Sequence, residues 1–157
     1  MKVVAISDLH GNLPLIEEVA CIYCISGDIM PLNIQSNDRK CRKWLREDFI
    51  PWANNLPCAH VVLVAGNHDF VFYRMEKSDI DKIFEGSKVI YLENSGVQLE
   101  GLNIFGTPWC HQFGRWAFMA DDAKLADLFS EIPDNVDILI THDAPYGTSD
   151  ICFQKVY

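Results

Sequence analysis

The sequence predicts an α/β fold in which layered sheets of parallel and antiparallel strands are flanked by helices. Three features carry that prediction. Short apolar runs each stop at a polar cluster, amphipathic stretches separate them, and a mid-chain segment alternates around a glycine turn.

The strands come first. Lys2 to Ile6 runs into Ser7-Asp8-Leu9-His10, and Cys21 to Ile25 runs into Ser26-Gly27-Asp28. His60 to Ala65 runs into Gly66-Asn67-His68-Asp69, and Val136 to Ile140 runs into Thr141-His142-Asp143. Nearly continuous β-branched and leucine runs of this length suit strands buried on both faces.

Helices are expected between them. Asn12 can cap one that has Pro14 in its first turn and Leu13, Leu15, Ile16, Val19 and Ala20 as its apolar stripe. Asp38 can cap a second, with Cys41, Trp44, Leu45, Phe49 and Trp52 at helical spacing until Pro51 kinks or ends it. A third is expected from Asp121 to Ser130, burying Leu125, Leu128 and Phe129. Between Ser87 and Thr107, alternating segments around Glu100-Gly101 read as a hairpin. The order is βαβαβ, then antiparallel strands, then αβ. With no repeat, low-complexity tract or linker, residues 1–157 read as a single domain.

Composition narrows the function. No apolar run approaches the roughly 18 residues of a membrane span. The first residues read as a strand rather than a signal peptide, so a cytoplasmic location is expected. A net charge of -9 argues against a protein that coats nucleic acid through a basic surface. A phosphate-bearing substrate would be repelled too, unless bound divalent cations reversed the local field. The six cysteines are expected to be reduced, and the Cys21-x-x-Cys24 pair reads as buried and structural.

In open α/β sheets, ligands bind beyond the carboxyl ends of the strands, where all four polar clusters lie. Asp8 and His10 offer an oxygen and a nitrogen from one strand end. Asp28 offers a carboxylate behind a glycine, Asn67 an amide oxygen, and His142 a second imidazole. Each pair alone is a common polar loop. Together they form a donor set suited to manganese, iron, zinc or magnesium rather than to a thiolate-bound metal. Two such ions about 3.5–4 Å apart clamp the attacking and leaving oxygens of an in-line displacement.

The order D-x-H, G-D, G-N-H-D, T-H resembles the calcineurin-like metallophosphoesterase superfamily. Gly106-Thr107-Pro108-Trp109, Trp116-Ala117-Phe118 and the stretch from Thr141 to Gly147 are similar to its small phosphodiesterase branch, the metallophosphoesterase-domain-containing proteins. The resemblance implies that Asp8 and His10 bind a first metal, Asp28 bridges two, and Asn67 and His142 bind the second. It implies that His68 meets the scissile phosphate and protonates the leaving oxygen, with Asp69 orienting its ring.

The implied activity is hydrolysis of a phosphodiester, cyclic nucleotides included, or of a phosphomonoester by a dimetal-bound hydroxide, with manganese favoured. The implied partner is a small phosphate ester. The alternative is a binding or scaffold protein that keeps the fold with little or no activity.

The family pattern closes with G-H-x-H, which this sequence lacks, so a C-terminally shortened sheet is expected. Three readings stay open: a shortened chain with a weakened site, a homo-oligomer that lends ligands or covers the exposed sheet edge, or local substitution by His111 or Asp143. His60 is expected to be structural. Trp109, Phe113, Trp116 and Phe118 are expected to pack over the sheet, with base stacking as the other reading. Asn33 and Gln35, in the loop after Asp28, are candidates to line the entrance, with no signal that decides it.

Overall fold

Two stacked sheets and one layer of helices build the molecule, described here for residues 1–145 of a computed structural model. The first sheet is all parallel, in the order β1 (Val3–Ile6), β2 (Ile22–Ser26), β3 (His60–Val64) and β4 (Val89–Leu92). The second joins β5 (Ser95–Leu99), β6 (Leu102–Thr107) and β9 (Ile138–Thr141). Here β5 and β6 are antiparallel and β9 lies parallel to β6. The two-residue strands β7 (Cys110–His111) and β8 (Met119–Ala120) pair beside them.

Parallel strands in sequential order, connected with one handedness, put their connections on one face of the sheet. The buried residues divide accordingly. Tyr23, Ile25, Val61 and Leu63 face Cys41, Leu45, Phe49, Val71, Phe72 and Ile80 of the helices. Their neighbours Ile22, Cys24, Val62 and Val64 face Ile104 and Ile140 of the second sheet. Both faces of β2 and β3 are therefore covered, which explains their unbroken apolar character. Each such side chain contributes about 1.5–3 kcal/mol by leaving water. The hairpin forms as expected, with Glu100 at φ 50° and Gly101 at φ 82° in its turn.

The helix expected from Asn12 does not form. Its backbone groups are taken by tertiary partners instead. The Trp52 indole donates to the Pro14 carbonyl at 2.9 Å, the Tyr23 hydroxyl donates to the Glu18 carbonyl, and the Ala20 N–H donates to the Pro57 carbonyl at 3.1 Å. Leu13, Ile16 and Ala20 already pack on the core, while Leu15 and Val19 remain 89% and 71% exposed.

The second helix does form, capped by Asn37 rather than Asp38. The Asn37 side chain accepts from the Lys40 N–H at 3.0 Å, while Asp38 pairs with Arg74. Before Pro51 the chain widens from α1 (Asp38–Trp44) into a π-helical turn at Leu45–Phe49, then continues as α2 (Ile50–Asn55). A proline ring crowds the carbonyl four residues before it, and a widened turn relieves that crowding. Leu45, Phe49 and Ala53 all stay on the buried face.

Two shorter helices, α3 (Phe70–Tyr73) and α4 (Lys77–Phe84), complete that layer. The last, α5 (Asp122–Ser130), is capped by Asp121 but buries only Leu125. Leu128 is half-buried and Phe129 is 36% exposed, because Phe129 lines an apolar groove of about 450 Å³ opposite Leu139. Cys21, Cys24, Cys41, Cys58 and Cys110 are free thiols, with Cys24 buried and Cys21 half-buried; Cys152 lies outside the described residues. No helix among the described residues is long and apolar enough to cross a membrane.

Candidate metal centre

The loops after β1 and β2 run side by side, and backbone bonds lock their register. The Asp8 N–H donates to the Gly27 carbonyl at 3.1 Å, and His10 donates to the Asp28 carbonyl at 2.8 Å. Asp8, His10 and Asp28 hold φ of 55°, 45° and 55°. Left-handed conformations of this kind cost non-glycine residues about 1–3 kcal/mol each and cluster at functional sites. The result is that one ligand atom from each of the three lies within 4.8 Å of the others. Asp8 is exposed, His10 half-buried and Asp28 buried.

Asp28 is the hub. Its Oδ1 accepts the His68 N–H at 2.8 Å and lies 3.4 Å from His142 Nε2. Its Oδ2 lies 3.7 Å from His10 Nε2 and 3.9 Å from His68 Nε2. Three imidazoles from three strand ends thus surround one carboxylate.

His142 shows what the cluster can hold. Its Nδ1 lies 2.8 Å from the Ser26 carbonyl, so Nδ1 carries the hydrogen and Nε2 presents a lone pair. That lone pair points at Asn67 Oδ1, 2.8 Å away, as well as at Asp28. A ring lone pair, an amide group and a carboxylate oxygen converging this closely are suited to share a metal ion. A backbone carbonyl on the far ring nitrogen is also how metal-binding histidines are usually oriented. His10 Nδ1 is likewise buried without a hydrogen-bond partner. The residues present therefore fit a divalent metal centre.

Two glycines let the loops converge. A Cβ on Gly66 would sit 2.3 Å from Asp28 Oδ1 and 2.7 Å from His142 Cε1. One on Gly27, at φ 89°, would sit 2.4 Å from His142 Nδ1. Any side chain at either position would displace the proposed ligands.

Asp69 differs from its expected role. Fully buried, it accepts backbone N–H groups from Gly66 at 2.8 Å, Met30 at 2.9 Å and Ile29 at 3.3 Å. Burial pushes its carboxyl up to about 6, with Asp28 adding to the rise and the three N–H bonds opposing it. Asp69 thus ties the loop after β2 to the loop after β3. The partner of the His68 ring is Gln35, whose Oε1 lies 2.7 Å from Nδ1. Burial lowers the His68 pKa below the usual imidazole range, against the raising effect of the Asp28 charge. Gln35 stands in an irregular loop with no local signal for this contact, which becomes visible only once the loops fold together.

The aromatic cluster divides. Phe118 is buried, and Trp109 packs edge-on against it and Tyr73. Trp116 is 38% exposed and lies over His68 with ring centroids 4.4 Å apart, while Phe113 is 71% exposed. Asn33 is exposed. His111 lies outside the cluster around Asp28. Its Nδ1 bonds Asp143 Oδ2 at 2.8 Å, so the two local substitutes considered for the missing histidines pair with each other. His60 sits at the start of β3 with Nε2 3.5 Å from Glu100.

Layered sheets with carboxylate, amide and imidazole donors converging at four strand ends define a metal-binding α/β scaffold. Residues 1–155 match the calcineurin-like phosphoesterase family, and the chain belongs to it. It is 28% identical to human metallophosphoesterase domain-containing protein 1 over 171 residues, covering 95% of this chain and 50% of that protein. It is 29% identical to a UPF0046 protein of Caenorhabditis elegans over 164 residues, 96% of this chain and 56% of the relative. The chain thus spans about half the length of these curated relatives.

Proposed function

We propose that this chain is a metal-dependent phosphoesterase acting on phosphodiesters, with cyclic nucleotides in the substrate class. The observation that carries the reading is the placement of Asp28 within 4 Å of His10, His68 and His142, at the meeting point of four strand ends. In this reading Asp8 and His10 would hold one divalent ion and Asn67 and His142 another, with Asp28 a candidate ligand for each. Bound ions supply positive charge for the phosphate and lower the pKa of water, manganese being the favoured metal.

The chain's own residues do the rest. His68 faces Asp28 from the side opposite Gln35, where its Nε2 can bind a phosphate oxygen and deliver a proton to the leaving oxygen. Asp69 acts at one remove, by joining the loops that present Asp28 and His68. The half-exposed Trp116 beside His68 offers an apolar face to the organic group of an ester.

Elemental analysis after incubation with manganese, paired with hydrolysis of a chromogenic phosphodiester, tests the reading. Two ions per chain with turnover are expected. A protein that binds one ion or none and turns nothing over would instead be a binding protein on the same fold.

A further inference from the structure

We infer that Gln35 is the positioning residue for His68, fixing which ring nitrogen carries the hydrogen. The inference rests on the phosphoesterase reading for its catalytic consequence, but not for its geometry.

Gln35 Oε1 lies 2.7 Å from His68 Nδ1. With its amide oxygen turned to the ring, Gln35 accepts, which assigns the hydrogen to Nδ1. In the neutral ring this leaves the Nε2 lone pair turned toward Asp28 Oδ2, 3.9 Å away. Nε2 is then the ring nitrogen left facing the side where a phosphate would sit. The other tautomer would aim its N–H at a carboxylate 3.9 Å away, beyond hydrogen-bond range, and set the Nδ1 lone pair against the Gln35 oxygen at 2.7 Å.

The ring is held from other directions as well. Trp116 lies over it at 4.4 Å between centroids, and His10 meets it edge-on at 5.1 Å. Neither contact selects a tautomer, since neither is a hydrogen bond to a ring nitrogen. Gln35 is the residue that does.

Gln35 is itself anchored. Its N–H donates to the Pro31 carbonyl at 3.1 Å, as does that of Ile34. The same loop is tied down one turn earlier, where Asp69 accepts from Ile29 and Met30. One buried carboxylate thereby secures the segment that carries Asp28 at one end and Gln35 at the other. The path from Asp69 to His68 runs through this loop and its glutamine.

The test uses Gln35→Leu, which removes the acceptor at similar volume, and Gln35→Glu, which restores an acceptor oxygen. Long-range proton–nitrogen NMR of metal-free, nitrogen-15-labelled protein reads the tautomer, with His68→Ala assigning the signal. Wild type and Gln35→Glu are expected to hold the Nδ1–H form, and Gln35→Leu to move toward a mixture. In the manganese-loaded protein, Gln35→Leu is expected to lower kcat about 10-fold, part of the roughly 10²–10⁴-fold that general acid catalysis supplies. KM and metal content should stay near wild type. An unchanged Nδ1–H tautomer in Gln35→Leu overturns the inference. Should wild type show no turnover while the tautomer still follows residue 35, the phosphoesterase reading fails and the positioning stands.

Discussion

His142 Nε2 lies 3.4 Å from Asp28 Oδ1, joining the end of β9 to the end of β2 across the two sheets. These strands are far apart in sequence and belong to different hydrogen-bonded sheets. Their ends converge because the small core of Ile22, Cys24, Val62 and Val64 against Ile104 and Ile140 holds one sheet on the other. A packing interaction between apolar residues is thus what brings the carboxylate and the imidazole together.

Asp28→Asn tests the central role of that carboxylate. The substitution keeps the shape but removes the charge and turns one oxygen into a donor. Since the His68 N–H and the three imidazoles all face this group, both metal sites should weaken together. Manganese content after desalting is expected to fall from two ions toward none. Retention of either ion at wild-type affinity would remove Asp28 from its bridging position.

Gly66→Ala tests the close approach. The added methyl would lie 2.3 Å from Asp28 Oδ1 and 2.4 Å from the Asp28 backbone nitrogen, neither of them the end of a flexible chain. Overpacking of this kind typically costs about 1–3 kcal/mol. The melting temperature should drop, and metal binding should be lost at concentrations that load the wild type. A variant with unchanged stability and metal content would show that the loops have room they do not display here.

His68→Ala separates substrate chemistry from metal holding. Its Nε2 is 3.9 Å from Asp28, farther than that of His10 or His142, and its Nδ1 is committed to Gln35. Turnover should fall roughly 10²–10⁴-fold while metal content changes little. Equal loss of both would make His68 a ligand.

The strand ends were legible in the sequence because two physical signals coincide there. Residues such as Val61 to Ala65 must be apolar to lie between two layers, and the chain must turn polar where it leaves the sheet. Asp8, His10, Asp28, Asn67, His68 and His142 stand at those exits. What escaped reading depends on distant partners. Asn12 to Ala20 carries a helical stripe, but Trp52, Tyr23 and Pro57 claim its backbone groups. Asp69 adjoins His68 in sequence, yet its carboxylate turns inward to the amides of residues 29, 30 and 66. Gln35, separated from His68 by 33 positions, takes the contact that proximity suggested for Asp69.

The cysteines provide a check on the fold that does not involve metals. Burial pushes the Cys24 thiol up to about 11 and the Cys110 thiol to about 12, with Asp143 and Asp28 adding to the latter. Cys41 also rises to about 11, through burial first and then the charges of Asp38 and Asp69. Alkylation requires the thiolate, and a raised thiol pKa keeps that form scarce until the pH climbs toward it. At pH 8 a thiol at about 11 is ionised to only about one part in 10³. Iodoacetamide is therefore expected to leave Cys24, Cys41 and Cys110 unmodified in the folded protein at pH 8, and to modify all three in guanidinium. Rates should rise about tenfold per pH unit between 8 and 10 as the thiolate fraction grows. Mass spectrometry of the digested protein reads each site separately. Rapid native labelling of Cys24 would mean that β2 is not buried between the helices and the second sheet, and the convergence of β2 and β9 at Asp28 and His142 would fall with it.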